Sequence, residues 1–188
     1  MSYYKNIYNQ NKNTNRIIID IALDDYFDFY HEWDNVKFKK RDINPEMAHF
    51  LHTCVKQIPS KESLELKFHI ENGIKDPKAE AEIRESFNHY YSMEINAVKK
   101  DVRNIYKAAA ASVIVSLSML IFVYFAEDDL GEGLLAYTIV NGFEIGVWVF
   151  MWQAFYGIVF DRSVENKRKK EYKRLLDADI SFTYESKK

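Results

Sequence analysis

The sequence contains few of the residues on which several classes of protein chemistry depend. Its only cysteine, Cys54, cannot form a disulfide within the chain and is typical of a reduced compartment. Six glycines and three prolines leave no glycine-rich phosphate loop, and no nucleophile elbow, H-E-x-x-H or paired C-x-x-C motif is present. The net charge of −2 provides no basic field for nucleic acid. We therefore expect no enzymatic activity, no cofactor and no nucleic-acid partner.

Charged residues are also missing from two long stretches. Nineteen uncharged residues lie between Lys107 and Glu127, and as a helix they would extend about 28 Å, close to the ~30 Å hydrocarbon core of a bilayer. From Leu134 to Phe160 the only charged residue is Glu144. We therefore predict transmembrane helices at residues 108–126 and 134–160, joined by an external loop at residues 127–133.

The charges that flank the two predicted spans indicate their orientation. The connecting loop has four acidic residues and no basic one, whereas basic residues cluster before the first span and after the second. Because basic residues are retained on the cytoplasmic side, we expect the loop outside and both termini in the cytoplasm. This predicts a multi-pass protein of the plasma membrane. The basic clusters are Lys99, Lys100, Arg103 and Lys107, and Arg162 with Lys167–Lys170.

Small residues form a stripe along each predicted span. Gly142, Gly146 and Gly157 share one face of the second helix, and the first two make a GxxxG step that lets another backbone approach closely. Ser112 and Ser116 form a matching row in the first helix. We predict that the two stripes pack the hairpin together, and a dimerisation face is the alternative.

Two polar residues, Glu144 and Asn141, lie on the side of the second span opposite the glycines. An ionised carboxylate near the middle of a span costs at least about 2.5 kcal/mol, so Glu144 is not expected to face lipid. It would then point at another subunit, a wet cavity or a partner protein, which favours a homo-oligomer. Three roles stay open: a protonated Glu144 hydrogen-bonded to Asn141, an ion or proton pathway, and partner recognition.

The rest of the sequence predicts a small α+β domain. Apolar residues alternate in RIIIDIAL, LELKFHI and ISFTYE, which is typical of half-buried strands. Between the first two strands, Asn44 and Pro45 signal the start of a helix that ends at Pro59, so a parallel crossover is expected. The third strand follows the second span. The predicted fold class is therefore α+β, with the transmembrane hairpin inserted between strands 2 and 3 of a three-stranded cytoplasmic domain.

The soluble sequence divides into three predicted segments. Residues 1–14 are polar and have no apolar core, so we expect a flexible N-terminal arm and no cleavable signal peptide. Residues 15–107 form the N-terminal part of the α+β domain and end in a juxtamembrane helix. Residues 161–188 supply a cytoplasmic helix and the strand that completes the domain.

The segment Asp24–Asp34 has the most unusual local composition, since it interleaves acidic residues and a histidine with five aromatic residues. On a helix, Asp28, His31 and Glu32 would share one face, which makes a weak candidate metal site. An acidic, aromatic-anchored turn on the sheet edge is the simpler interpretation. A docking surface for a cytoplasmic protein partner is a third.

Several strings of the sequence together carry a resemblance. They are IIIDIALDDYFDFYHEWD, RDINPEMAHFL, LELKFHI, GLLAYTIVNGFEIGVWVFMWQ with basic residues after it, and ISFTY, and they span most of the chain from Ile17 to Tyr184. The chain resembles a family of uncharacterised prokaryotic membrane proteins with two transmembrane helices. Because that family has no assigned activity, the resemblance implies the two-span architecture with a small cytoplasmic α+β domain, and no catalytic residue.

These observations are compatible with three functions. The first is a non-enzymatic, homo-oligomeric sensor, adaptor or membrane anchor, with the lipid bilayer as its first partner. The second is a small ion or proton conduit, or a membrane-perturbing effector, that uses Glu144. The third is a membrane-tethered metal-dependent enzyme that uses Asp28, His31 and Glu32.

Overall fold

The computed structural model of the chain describes residues 3–30, 42–71, 74–130 and 133–184. Within these ranges the fold is mixed α+β and mostly helical, with one three-stranded sheet. The α+β class and the three strands are therefore confirmed. The strands are β1 (Ile17–Leu23), β2 (Leu64–Ile70) and β3 (Asp179–Tyr184), and the α-helices are α1 (Pro45–Gln57), α2 (Pro77–Leu130), α3 (Leu134–Tyr156) and α4 (Arg162–Leu176).

The three strands are parallel and lie in the order β1-β2-β3. Leu66 of the central strand pairs with Ile19 on one side and with Ile180 on the other. Because side chains alternate along a strand, this register places the apolar residues of all three strands on one face. The polar residues of the strands share the opposite face.

Helix α1 lies between β1 and β2 in the chain and begins as its sequence predicts. The side chain of Asn44 accepts the backbone N–H of Glu46 at 2.9 Å, and Pro45 occupies the first helical position. The apolar stripe of α1 is buried in a core that also includes the apolar face of the sheet. Its deeply buried members include Ile19, Leu51, Val55, Leu66, Phe68, Ile83, Phe87, Tyr91 and Leu175.

Two tyrosines of the segment before β1 contact the rest of the sheet unit. Tyr4 is buried, and the Tyr8 hydroxyl donates to the side chain of Gln57 at 2.9 Å. An aromatic ring buries enough apolar area to hold a short polar segment against a domain, although the average composition of residues 1–14 is polar.

Two helices are long and apolar enough to cross a membrane, and they include the predicted spans: Pro77–Ala126 and Leu134–Leu176. Helix α2 continues past the predicted end of the first span, as far as Leu130. In the second, α3 is followed by one π-helical turn at Gly157–Asp161, after which α4 begins.

The chain forms two compact units. One comprises Met1–Ala97 and Lys169–Lys188. It therefore contains the sheet, α1, the start of α2 and the second half of α4. The other is Val98–Arg168, which contains the apolar helices. We refer to them below as the sheet unit and the helical unit.

Candidate functional site

The predicted metal ligands are not brought together in the part of the chain that the structure describes. His31 and Glu32 lie outside the described residues. The Asp28 carboxylate accepts the backbone N–H groups of Asp24 and Asp25, both at 3.0 Å, and so closes a capping box on the short 3-10 helix Tyr26–Phe29. Among the described residues, no three His, Cys, Asp or Glu side chains are placed to hold a metal ion. Asp28 therefore has a local structural role.

A cleft of about 930 Å³ lies in the sheet unit, beside the residues that follow the carboxyl end of β1. Two segments line it: the turn after β1 and the segment that leads into α2. Ligands of parallel sheets commonly bind beyond the carboxyl ends of the strands, and this cleft is therefore the candidate binding site. The lining residues are Asp24, Asp25, Tyr26, Phe27, Tyr30, Ile74, Lys75, Asp76, Lys78, Ala79 and Glu82.

The mouth of the cleft combines apolar side chains with charges of both signs. Phe27 is 69% exposed and Ile74 is 90% exposed, which is unusual for large apolar side chains of a domain that buries most of its others. Four carboxylates and two lysines surround them. This composition suits an amphipathic ligand or a partner segment better than a purely ionic one.

A chain of hydrogen bonds joins the cleft to α2 and β3. The backbone N–H of Asp76 donates to the Tyr26 hydroxyl at 3.2 Å, and Tyr26 donates to the Tyr184 hydroxyl at 3.1 Å. Tyr184 in turn donates to the Glu80 carboxylate. Partial burial, and then the bond to Glu80, raise the pKa of Tyr184, so its hydroxyl keeps the proton that this bond requires. The turn after β1, the end of β3 and the first turn of α2 are thus one connected network.

The N-terminus of α2 is fixed within this network. The Asp76 carboxylate accepts the backbone N–H groups of Lys78 at 2.9 Å and Ala79 at 3.3 Å. Because these donors are already satisfied, the start of α2 is a capped end and not an open anion site. Its position depends on the contacts that Asp76 and Glu80 make with the two tyrosines.

A second polar cluster lies on the polar face of the sheet. His69 Nε2 is 2.8 Å from the Asp20 carboxylate, and His69 Nδ1 is 2.8 Å from the Thr183 hydroxyl. Since a carboxylate only accepts, Nε2 carries the hydrogen and Nδ1 accepts from Thr183 when the ring is neutral. The cluster takes one residue from each strand and ties the three strands together. Sequence alternation places these residues on one face, but only the register shows that they meet.

Glu65 belongs to the same polar face and is buried. It accepts hydrogen bonds from the Asn11 amide at 2.6 Å and from the Ser181 hydroxyl at 3.1 Å. A buried carboxylate needs such partners to offset its lost hydration. The N-terminal segment and β3 both supply one, so the two ends of the chain are held to the central strand.

Arg174, which no sequence motif marks, forms four hydrogen bonds to backbone carbonyls of the sheet unit. Its guanidinium donates to the backbone carbonyls of Val55, Ile58, Pro59 and Glu62, at 2.9–3.2 Å. These carbonyls lie at the C-terminal end of α1 and in the turn that follows, where a helix leaves its last carbonyls unsatisfied. Burial lowers the pKa of Arg174, but arginine stays protonated across the physiological range.

In the helical unit, α2 and α3 pack through small residues. Ser116 is fully buried and Ser112 is nearly so. A methyl group added to Gly146 would collide with Cε of Met119, and one added to Gly157 would lie 3.6 Å from a methyl group of Ile105. Gly146 and Gly157 therefore give the side chains of α2 room to approach.

The predicted stripe is only partly the observed one. A methyl group on Gly142 would meet no atom within 4 Å, so Gly142 does not pack against α2. The buried residues of α2 instead recur at steps of three, four, seven and three, and those of α3 at steps of eleven and seven, so that each set lies on one face of its helix and forms the seam. They are Ala109, Ser112, Ser116, Val123 and Ala126 on α2, and Ala136, Val147 and Ala154 on α3.

The two predicted intramembrane polar residues lie away from this seam. Glu144 is exposed, and no described residue supplies it with a hydrogen bond or an ion pair. The Asn141 amide donates to the backbone carbonyl of Tyr137, one turn earlier in its own helix, at 2.7 Å. Asn141 therefore forms its hydrogen bond within its own helix, and it does not pair with Glu144 in the described contacts.

No protein family, curated protein or solved structure matches the chain.

Proposed function

We propose that the chain is a two-pass membrane protein whose cytoplasmic α+β domain acts as a non-enzymatic sensor or adaptor. Residues 108–126 and 134–160 would form a transmembrane hairpin inserted between β2 and β3. One observation carries the proposal: helix α2 has its first turn in the wall of the cleft and continues unbroken to Leu130, so that it includes the first candidate span.

The exposure of the apolar helices supports the membrane part of the proposal. Only 22% of the apolar stretch of the first candidate span and 11% of that of the second are buried, whereas a core helix of a soluble protein is buried along most of its length. Large apolar side chains cover the outside of both helices. They include Ile114, Leu117, Ile121, Phe125, Ile145, Trp148 and Trp152. Water would solvate such a surface poorly, and lipid would solvate it well.

The cleft network supports the sensor part. A ligand or a partner segment that enters the cleft contacts the same Tyr26 hydroxyl that holds Asp76 and Tyr184. Any rearrangement of that hydroxyl changes the bonds that fix the first turn of α2. Because a helix transmits a displacement along its axis, the effect would reach the membrane segment of α2.

The membrane topology is tested by labelling single cysteines in a Cys54→Ala background. A membrane-impermeant maleimide should label Glu127→Cys in intact cells and should label Lys12→Cys only after lysis. The protein should also stay with the membrane fraction in alkaline carbonate. Release by carbonate, or labelling of Lys12→Cys in intact cells, would contradict the proposed topology.

Coupling is tested with spin labels at Arg103→Cys and Lys167→Cys, both within the helical unit, in the same background. Tyr184→Phe removes the donor to Glu80 and should shift the distance between the labels by about 1–2 Å or more. Tyr8→Phe is the matched control, because it removes a hydroxyl that bonds Gln57 elsewhere in the sheet unit. Equal distances in both variants and the parent protein would show that the cleft network does not act on the helices.

A second candidate function is favoured by the exposure of Glu144 outside the seam. In an oligomer that encloses a central axis, this carboxylate could line a proton or ion pathway. Purified protein in liposomes should then dissipate a proton gradient, and Glu144→Ala should abolish the flux while Ser118→Ala preserves it. Equal proton flux in the two variants would contradict a conduit function.

A further inference from the structure

Glu144 lies near the middle of the second candidate span and outside the helix seam. It is the eleventh of the 23 residues of α3, so about 15 Å of helix precedes it. The side of α3 that faces α2 is occupied by Gly146 and the buried alanines. Trp148, one turn after Glu144, is 77% exposed. The carboxylate and the indole therefore share a surface that the hairpin itself does not cover.

The position of Glu144 has a cost if the proposed membrane topology holds. On insertion scales an acidic side chain at the centre of a span costs roughly 2.5–3.5 kcal/mol, and a protonated carboxyl still has a donor and acceptors that lipid cannot satisfy. Glu144 is too far from either end of α3 to reach the interface easily. Its side chain therefore needs a polar partner at the same depth.

We infer that a second copy of this chain covers the surface formed by Asn141, Glu144 and Trp148. The inference rests on the proposed function, because it requires α3 to span the bilayer. Two copies inserted in the same direction are related by an axis along the membrane normal, so a residue that faces this axis meets its counterpart at the same depth. Glu144 would then meet Glu144 of the second copy.

The chemistry of the two polar side chains suits a self-pairing surface. A protonated carboxyl is both donor and acceptor, so two copies of Glu144 can satisfy each other, with at least one of them protonated. Asn141 uses one N–H on its own helix and keeps its carbonyl oxygen as an acceptor at the adjoining turn. An identical copy therefore supplies the complement without a basic residue. The aromatic Trp148 adds contact area beside the polar pair.

The test measures self-association of the full-length chain, purified alone in mild detergent and in nanodiscs. The parent protein should be dimeric or larger. Glu144→Leu should weaken association about tenfold, which is about 1.4 kcal/mol, whereas Glu144→Gln should retain it because an amide also donates and accepts. Ser118→Leu is the matched control, since it replaces an exposed polar residue of α2 that bonds its own helix, and it should change nothing.

Cysteine crosslinking identifies the surface. In the Cys54→Ala background, Trp148→Cys should form a disulfide between copies, and Tyr124→Cys, on an exposed position of α2, should not. The inference would be overturned if the parent protein is monomeric, or if Glu144→Leu associates as strongly as the parent protein. Crosslinking through Tyr124→Cys alone would overturn it as well. A protein that resists carbonate extraction but is monomeric would contradict only this inference, whereas release by carbonate would contradict the proposed function as well.

Discussion

Replacement of Arg174 by alanine should destabilise the sheet unit more than any other single loss of a polar side chain. The guanidinium donates to four backbone carbonyls, of which the Pro59 carbonyl also accepts the backbone N–H of Glu62 at 3.0 Å. The substitution removes this donor from four carbonyls at the end of α1 and in the turn that follows, and the Pro59 carbonyl keeps the backbone N–H of Glu62. It also removes the hydrogen bonds that join α4 to α1 through this side chain.

The expected loss of unfolding free energy in Arg174→Ala is the difference between lost hydrogen bonds and a relieved desolvation cost. A hydrogen bond from a charged donor contributes about 1.5–3 kcal/mol when measured singly, but four bonds to one cation do not add. Removing the charge also removes the cost of its desolvation, and partly buried carbonyls regain some water. We therefore expect Arg174→Ala to lower the free energy of unfolding by about 3 kcal/mol, which is a factor of about 150 in the unfolded fraction. Arg174→Lys should lose about half of that, because three donors on one nitrogen cannot span four carbonyls.

Hydrogen exchange of the full-length protein in detergent measures this loss separately from the helical unit. Peptides from α1 and β3 should lose protection about 100-fold in Arg174→Ala, and peptides from α3 should not change. Lys173→Ala is the control, because it removes an exposed neighbouring cation and should cost less than about 0.5 kcal/mol. If the rate of hydrogen exchange in β3 rises less than threefold in Arg174→Ala, the reasoning is refuted.

Three further predictions concern buried groups. Tyr91→Phe should be neutral or stabilise the sheet unit by up to about 1–2 kcal/mol in the same exchange measurement, because the buried Tyr91 hydroxyl has no hydrogen-bond partner in the described structure; a loss of stability would show that it has one. Gly146→Leu should lower the free energy of unfolding of the helical unit by about 1–3 kcal/mol, because the end of the Met119 side chain must move and a whole leucine side chain must then fit between the helices, whereas Gly142→Leu, which meets open space, should not, and equal effects in thermal unfolding would contradict the observed seam. Burial raises the pKa of Cys54, so native protein at neutral pH should be alkylated far more slowly than unfolded protein, as mass spectrometry would show. Because the thiol ionises more readily in the unfolded state, its contribution to stability is present below its ordinary pKa and is lost as the pH rises through the raised value.

The elements of the sheet unit could be predicted from sequence because their signals are local. LELKFHI matches β2 residue for residue, and the cap at Asn44 and Pro45 fixes the start of α1. Alternation and capping depend on neighbours within one turn or one strand. The same locality explains what was missed. Whether Arg174 reaches the end of α1 depends on contacts across more than a hundred residues of sequence, and nothing near Arg174 marks it.

The seam between α2 and α3 shows a second limit of prediction from sequence. The glycine stripe was a reasonable prediction, since small residues allow close packing, and Gly146 and Gly157 do face α2. Gly142 does not, because the rotation of α3 is set by the partner it meets and not by its own glycines. The end of the Met119 side chain occupies the space above Gly146, and the buried residues follow one face of each helix. The exposure of Glu144 follows from that rotation.

The sheet also has a consequence for biosynthesis. All of α2, α3 and α4 must leave the ribosome between β2 and β3, so the outer edge of β2 stays unpaired until β3 has been made. In the proposed topology, β3 can reach β2 only when the chain has crossed the bilayer an even number of times. A chain that inserts a single helix therefore keeps an open strand edge in the cytoplasm. Cellular proteases and chaperones that recognise such edges would remove misinserted molecules and spare those whose sheet is complete.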